Sequence, residues 1–224
     1  MEKAAAGAHR LVMRNALVLL GHADPDSFNA RLSRAYTDAL REAGARAESI
    51  TLSELSFDPV LRRGFAGEQP LEPDLLRVRE AIERADHLAW FFPTYWASPP
   101  AIVRGLVDRL FLPGWAFRYE ASASGTRSLP TGLLAGKSAR VVTTMDSPSW
   151  WYTLAHHRAI HGSFVTATLS FVGLAPIRTT TIHEVRTLEA SAREAHLRQM
   201  ASLAKKDLAT RPPPPEHGAL PLRA

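Results

Sequence analysis

The sequence predicts a three-layer α/β fold, a five-stranded parallel sheet in the order 2-1-3-4-5 with helices on both faces. Short apolar runs alternate with amphipathic stretches along most of the chain, the pattern that βαβ units leave in a sequence. Runs such as 15–20 and 87–92 are continuously apolar, as buried strands are. Each strand run stops at a turn-rich or proline-containing segment. In the order 2-1-3-4-5 the chain reverses direction beside the first strand, and ligands bind beyond the carboxyl ends of strands at that switch point.

Asn15 to Leu20 is the first strand, ending in the turn-rich Gly21-His22-Ala23-Asp24-Pro25-Asp26. Ser27 suits the N-cap of a helix reaching about Gly44, with Leu32, Tyr36 and Leu40 among its apolar positions. Residues 47–52 form the second strand, followed by a loop containing Asp58-Pro59 and a helix from about Glu72 to Ala85. His87 to Phe92 is the third strand, stopped by Pro93. Pro99-Pro100 start a helix over 101–111. Residues 115–130 carry no period and predict a long loop, a kind that is usually functional in a compact domain. The fourth strand covers 139–144, a helix 163–172, the fifth strand 176–183 and the last helix 188–208. The domain organisation is an N-terminal extension over 1–14, one domain over 15–208 and a proline-rich tail over 209–224.

Composition narrows the function. A chain of 224 residues suits one core and one domain. The absence of cysteine excludes a disulfide framework, a thiolate metal site and a cysteine nucleophile. It is compatible with a reducing compartment, and a cytoplasmic location is the expectation. The opening residues lack a long apolar core before Arg10, and no run of about 18 apolar residues occurs, so neither a secretory signal nor an integral membrane segment is expected. The net charge of +5 favours anionic partners, but the cations are dispersed, so nucleotides fit better than nucleic acid.

Three loops carry the chemistry. After the first strand, a helix N-terminus offers unpaired amides and partial positive charge to a phosphate, and His22, Ser27 and Asn29 can add side-chain donors. The plain alternative is a capped helix with a surface histidine. After the third strand, Tyr95 and Trp96 lie between rigid prolines, Pro93 and Pro99-Pro100. Aromatics there are either core residues or a surface against which a flat ligand such as flavin lies. After the fourth strand, Thr143-Thr144-Met145-Asp146-Ser147 offers hydroxyls and turn amides, followed by Trp150-Trp151-Tyr152.

With these residues in this order, the sequence resembles the flavodoxin-like NAD(P)H:quinone oxidoreductase family over roughly 15–208. The matching pieces are Gly21-His22 with Ser27-Phe28-Asn29, Phe92-Pro93 with Trp96 and Pro100-Ala101, Gly105 with Asp108-Arg109-Leu110-Phe111, Gly114-Trp115-Ala116-Phe117 with Tyr119, and Thr143-Thr144. The resemblance implies a flavodoxin-like fold, a homodimer and a bound flavin, FAD ahead of FMN. It also implies two-electron transfer from NAD(P)H to a quinone-like acceptor, for which a ping-pong cycle is expected. By the same resemblance, His22, Ser27, Phe28 and Asn29 contact the flavin's phosphate arm. Pro93, Thr94, Tyr95, Trp96 and Ala97 hold the ring, and Thr143 and Thr144 lie on its opposite edge. Met145 and Asp146 continue that contact where the family usually has two glycines. Tyr152 and His161 are the matches to the tyrosine and histidine near the reacting ring, with His157 the alternative histidine. Trp115, Phe117 and Tyr119 are expected as an exposed apolar patch at the dimer interface.

Other chemistries fit less well. His157 and His161 have a zinc-site spacing, but Arg158 stands where a metalloprotease needs glutamate, so no metal is expected. Gly132 to Ser138 is one residue short of a Walker loop and precedes a strand, so it reads as a turn with a lysine. No Gly-x-Gly-x-x-Gly follows the first strand, so the nicotinamide nucleotide is expected as a visiting substrate. The rivals are a flavodoxin-like electron carrier, a regulatory flavoprotein of a membrane transport system, and a nitro- or azo-reductase.

Overall fold

The computed structural model describes residues 15–119 and 130–210. The extension over 1–14, residues 120–129 of the expected long loop, and the proline-rich tail from 211 onward lie outside the described residues.

Strands β1 (Asn15–Leu20), β3 (His87–Pro93) and β6 (Ser138–Thr144) form the middle of the sheet; β2 (Arg46–Thr51) and β7 (Ile177–Ile182) are its edges. The sheet is parallel throughout, in the order β2-β1-β3-β6-β7. Every residue of β3 and β6 is buried; β3 is apolar after His87, as a strand covered on both faces is, whereas β6 also buries Ser138, Arg140, Thr143 and Thr144. The expected order 2-1-3-4-5 needs correction in its last two numbers. Two short strands, β4 (Phe117–Arg118) and β5 (Thr131–Gly132), pair antiparallel as a separate ribbon before β6. They occupy part of the segment read as a formless loop.

Helices α1 (Phe28–Glu42) and α5 (Ala190–Leu208) cover one face, burying Leu32, Tyr36, Leu40 and Met200 against Val18, Phe91 and Val142. Helices α2 (Pro73–Arg84) and α3 (Ala101–Leu110) cover the other, together with a π-helix over His161–Ser170. The expected helix over 163–172 is present as this π-helix, starting two residues earlier. A short helix, α4 (Ser149–Leu154), also stands where only a loop was expected.

Arg109 is fully buried and holds the β2–α2 connection against α3, donating to both Glu72 carboxylate oxygens and to the carbonyls of Pro70 and Asp58. Gly105 lies against Pro59, leaving no room for a Cβ. Lys137 donates to the Glu83 and Ala85 carbonyls at 2.9 and 2.7 Å, closing the C-terminus of α2, so the Walker-like segment acts as a turn. Trp115 and Phe117 overturn part of the exposed-patch expectation. Trp115 is half-buried, its indole donating to Glu83 at 2.7 Å beneath Arg79, and Phe117 is buried against Phe171. Tyr119 alone of the three is exposed.

Candidate functional site

The loops after β1, β3 and β6 meet at the carboxyl end of the sheet and are joined by side chains. Ser27 caps α1, its hydroxyl accepting from the Ala30 amide at 3.2 Å. The preceding loop is held by Asp24, whose carboxylate accepts from the Asp26 amide at 2.8 Å and whose own amide donates to His22 Nδ1 at 3.0 Å. The amides of Phe28 and Asn29 belong to the first helical turn, where no intrahelical acceptor exists. Asn29 is buried and donates through Nδ2 to Thr144 Oγ1 at 2.8 Å. Its Oδ1 is buried with no partner among the described residues. Exchanging the amide's O and N leaves one of its polar atoms open either way.

Thr94 completes the junction. Its amide donates to the Thr144 carbonyl at 2.7 Å, and its hydroxyl lies 2.8 Å from that of Thr143. The chain after Thr94 then makes a two-residue turn, with Tyr95 and Ser98 exchanging backbone hydrogen bonds of 2.9 Å. Trp96 and Ala97 at its centre have φ of 51° and 57°. That left-handed geometry costs roughly 1–2 kcal/mol at each non-glycine residue. Such strain concentrates at functional sites. Trp96 is fully exposed and Tyr95 half-exposed, although large aromatics are ordinarily buried.

Three of the expected contacts find their visible partners elsewhere. The Phe28 ring faces α5, with the Arg193 guanidinium 5.2 Å from its centroid. The Met145 amide and carbonyl pair with Ile182 and Val185, and the Asp146 carboxylate accepts from the Arg186 amide. The Asp146 carboxylate therefore secures the segment after β7 in a way a glycine could not, while the Met145 contacts are backbone ones that a glycine would also make.

Tyr152 and His161 are brought together. Tyr152 Oη lies 3.2 Å from His161 Nδ1 and accepts from the Ile160 amide at 3.2 Å. His161 Nε2 lies 3.2 Å from Thr179 Oγ1 on β7. Burial pushes the Tyr152 hydroxyl pKa up. Burial, Arg158 and His183 together hold the His161 pKa below the usual imidazole value. His157 is exposed and, with Arg158, occupies the left-handed region. Trp150, Trp151 and Leu154 of α4 are exposed, and the two indoles pack edge to face. Thr179 was not foreseen; one threonine in the run Thr179-Thr180-Thr181 carries no distinguishing signal. Among the described residues no group of acidic and histidine side chains could hold a metal, and no helix is long and apolar enough to cross a membrane.

A family model described as flavodoxin-like fold matches residues 14–206. The chain belongs to this flavodoxin-like family. It is 28% identical over 191 residues to the NAD(P)H dehydrogenase (quinone) 1 of Cavia porcellus, covering 76% of this chain and 64% of that relative. The chain thus spans just under two-thirds of the relative's length. A structure described as a putative quinone reductase from Klebsiella pneumoniae superposes with a TM-score of 0.75 at 20% identity, covering 89% of this chain and 86% of that one. The NAD(P)H:quinone oxidoreductase from Methanothermobacter marburgensis superposes with a TM-score of 0.71 at 23% identity, covering 86% of this chain and 98% of that one. The two superpositions establish the shared fold.

Proposed function

We propose that this flavodoxin-like protein is a flavin-dependent oxidoreductase that takes two electrons from NAD(P)H and passes them to a quinone-like acceptor. The observation that carries the reading is the junction of Asn29, Thr94, Thr143 and Thr144 beside the strained Trp96-Ala97 turn, at the switch point of the sheet. The name of the Cavia porcellus relative supports the same donor and acceptor classes.

The residues present fit a flavin. The open amide atom of Asn29 can accept from a ribityl hydroxyl or donate to a phosphate oxygen, and the first turn of α1 supplies amides and positive potential for that phosphate. In the 95–98 turn, with φ positive at both central residues, backbone N–H groups can meet the polar edge of a ring while Trp96 flanks it. Flavin bound there would supply hydride acceptance and return, with donor and acceptor occupying one face in turn, as in a ping-pong cycle. Tyr152 Oη, with His161 beside it, can hold or give up a proton toward that face. FAD stays ahead of FMN by the family resemblance. A homodimer remains the expected assembly, and the cysteine-free composition fits a cytoplasmic enzyme. A net charge of +5 speaks against an electron carrier, a class that tends to be acidic.

The test is to denature the purified protein, identify the released chromophore by spectrum and mass, and assay NADH and NADPH oxidation with a soluble quinone. Yellow protein with quinone-dependent turnover is expected. Colourless protein that binds neither added FMN nor FAD overturns the reading. Flavin without turnover moves it to the electron carrier or the regulatory flavoprotein.

A further inference from the structure

We propose that Arg158 makes the Tyr152–His161 face a binding site for an oxyanion, a phosphate, sulfonate or carboxylate group carried by the substrate that visits it. The proposal deepens the oxidoreductase reading by giving its substrate a charge class, and it rests on that reading for what the visitor is.

Arg158 is tied to both members of the pair through its main chain. Its amide donates to the Tyr152 carbonyl at 3.0 Å, and its carbonyl accepts from the His161 amide at 2.8 Å and the Gly162 amide at 3.2 Å. It holds φ of 52°, and His157 before it 46°, a left-handed conformation that residues with a side chain rarely adopt. The backbone from which the guanidinium leaves is thus fixed beside the pair. The side chain is exposed, and no ion pair to it is found among the described residues.

Around the pair the charges are positive or neutral. Residues 147–183 contain no aspartate or glutamate. Three imidazoles surround the Tyr152 ring, those of His156, His161 and His183, with centroids at 6.5, 6.0 and 5.9 Å. An imidazole is neutral or cationic near neutral pH, never anionic. Asp146 and Glu184 bracket the run; the Asp146 carboxylate is turned to the Arg186 amide at 2.9 Å, and Glu184 is exposed. Burial is the largest influence on the pair, raising the Tyr152 pKa and lowering that of His161, and Arg158 pulls both downward. Among the described residues no carboxylate acts on either. Positive potential without a counter-ion is complementary to an anion, and a guanidinium presents paired N–H donors to the oxygens of a carboxylate, sulfonate or phosphate. A neutral quinone has no group to answer that charge.

The first test needs no flavin. Full-length 15N-labelled protein, stripped of cofactor, is titrated with inorganic pyrophosphate at fixed pH and ionic strength, following the imidazole signals of His156, His161 and His183, each assigned by its glutamine variant. Saturable shifts are expected in wild type and in Arg158→Lys. Affinity about five- to tenfold weaker is expected in Arg158→Gln, the loss of one solvent-exposed, charge-assisted contact. Equal affinity in the glutamine variant overturns the site, as do wild-type shifts that never saturate. The second test uses flavin-loaded protein and compares kcat/KM for a neutral naphthoquinone with the same ring bearing a sulfonate, and for N-benzyl dihydronicotinamide, which has the reacting ring without phosphates, with NADH. Arg158→Gln is expected to lower at least one anionic-to-neutral ratio by a similar factor, with lysine restoring it. A fall in the quinone ratio assigns the oxyanion to the acceptor, and a fall in the nicotinamide ratio assigns it to the donor. Both ratios unmoved overturns the proposal as a substrate site. Protein that binds no flavin overturns the oxidoreductase reading instead, and the pyrophosphate titration then decides the site by itself.

Discussion

Asn29 donates its side-chain amide to the Thr144 hydroxyl at 2.8 Å, joining the first turn of α1 to the end of β6 across 115 residues of sequence. The contact puts a neutral polar group where the proposed phosphate arm would lie. Asn29→Asp keeps the shape, and the Thr144 hydroxyl can reverse and donate to the new carboxylate, so the fold is expected to persist. The added negative charge should weaken flavin binding about tenfold or more, equivalent to ~1.4 kcal/mol. Flavin fluorescence titration of protein stripped of cofactor measures it. Unchanged affinity would mean that the phosphate does not sit at this helix.

Ala97 has φ of 57° without the freedom of glycine. Ala97→Gly is expected to stabilise the flavin-free protein by about 1 kcal/mol, the left-handed cost less glycine's extra entropy. A urea denaturation series decides this. Trp96→Gly should relieve similar strain but lose ring binding, so higher stability with weaker flavin affinity is the expected signature.

His87 and Asp207 give the fold an acid limit. His87 Nε2 lies 2.9 Å from Tyr36 Oη, which donates to Asp207 at 2.6 Å, while Ser138 Oγ lies 2.8 Å from Nδ1. A neutral imidazole protonated on Nε2 satisfies all of these contacts. Burial chiefly, opposed in part by Asp207 and reinforced by Arg140 and Arg178, lowers the His87 pKa to about 4. As pH falls from about 6.5 to 4 the unfolded chain binds a proton that the folded chain refuses, so stability drops, by about 3 kcal/mol over the full window. Asp207 acts lower. Burial raises its pKa, but the Arg140 hydrogen bond and charge prevail and leave it below the usual value. Its contribution is present above the ordinary carboxylate pKa and is lost below it. His87→Gln should flatten the melting temperature between pH 6.5 and 4 while leaving the fall below pH 4.

What was legible in the sequence follows from how strongly burial dictates residue type. β1 and β3 are covered on both faces, so their nearly unbroken apolar runs could hardly read otherwise, while β6 shows only Val141-Val142 among buried polar residues; Ser27 announced α1 because few other residues satisfy that helix end. The β4–β5 ribbon was invisible because two-residue strands such as Phe117-Arg118 have no period. α4 was missed because Trp150 and Trp151 stay exposed, leaving no apolar stripe on a six-residue helix. The helix over 161–170 is legible in the sequence but its π character is not, because its ten residues are apolar or small nearly all round. Trp115 and Phe117 were read as exposed from loop position, yet they pack against α2 and Phe171. At the site, residue types exposed the loops, while the contact from Thr179 to His161 depends on strand register, which one sequence does not display.

The correction to Trp115 and Phe117 moves the expected dimer surface. Tyr95, Trp96, Trp150, Trp151 and Leu154 are the exposed apolar side chains that follow β3 and β6. If two copies meet there, Trp150→Glu with Leu154→Glu should convert the homodimer to monomer in light scattering and leave the melting temperature of the monomeric fold nearly unchanged. A wild-type chain that is monomeric at all concentrations removes the dimer from the account.

The last prediction concerns Tyr152, His161 and His157. Two-electron reduction of a bound flavin places negative charge near its ring edge, and a donor aimed at developing charge can lower a barrier by about 2.7–4 kcal/mol. Tyr152 Oη and His161 Nδ1 lie 3.2 Å apart, and the imidazole, its pKa held below the usual value by burial, Arg158 and His183, is the neighbouring group that can exchange a proton with the hydroxyl. His157 is exposed, with φ of 46°. Stopped-flow reduction by NAD(P)H under anaerobic conditions should therefore slow by about 10²-fold in Tyr152→Phe, and slow also in His161→Gln, with flavin still bound in both. His157→Gln should behave as wild type. Slowing confined to His157→Gln would reassign the histidine despite the geometry. Wild-type rates in all three would remove proton supply by these side chains from the mechanism, while the flavin site itself would stand on Asn29 and the Trp96-Ala97 turn.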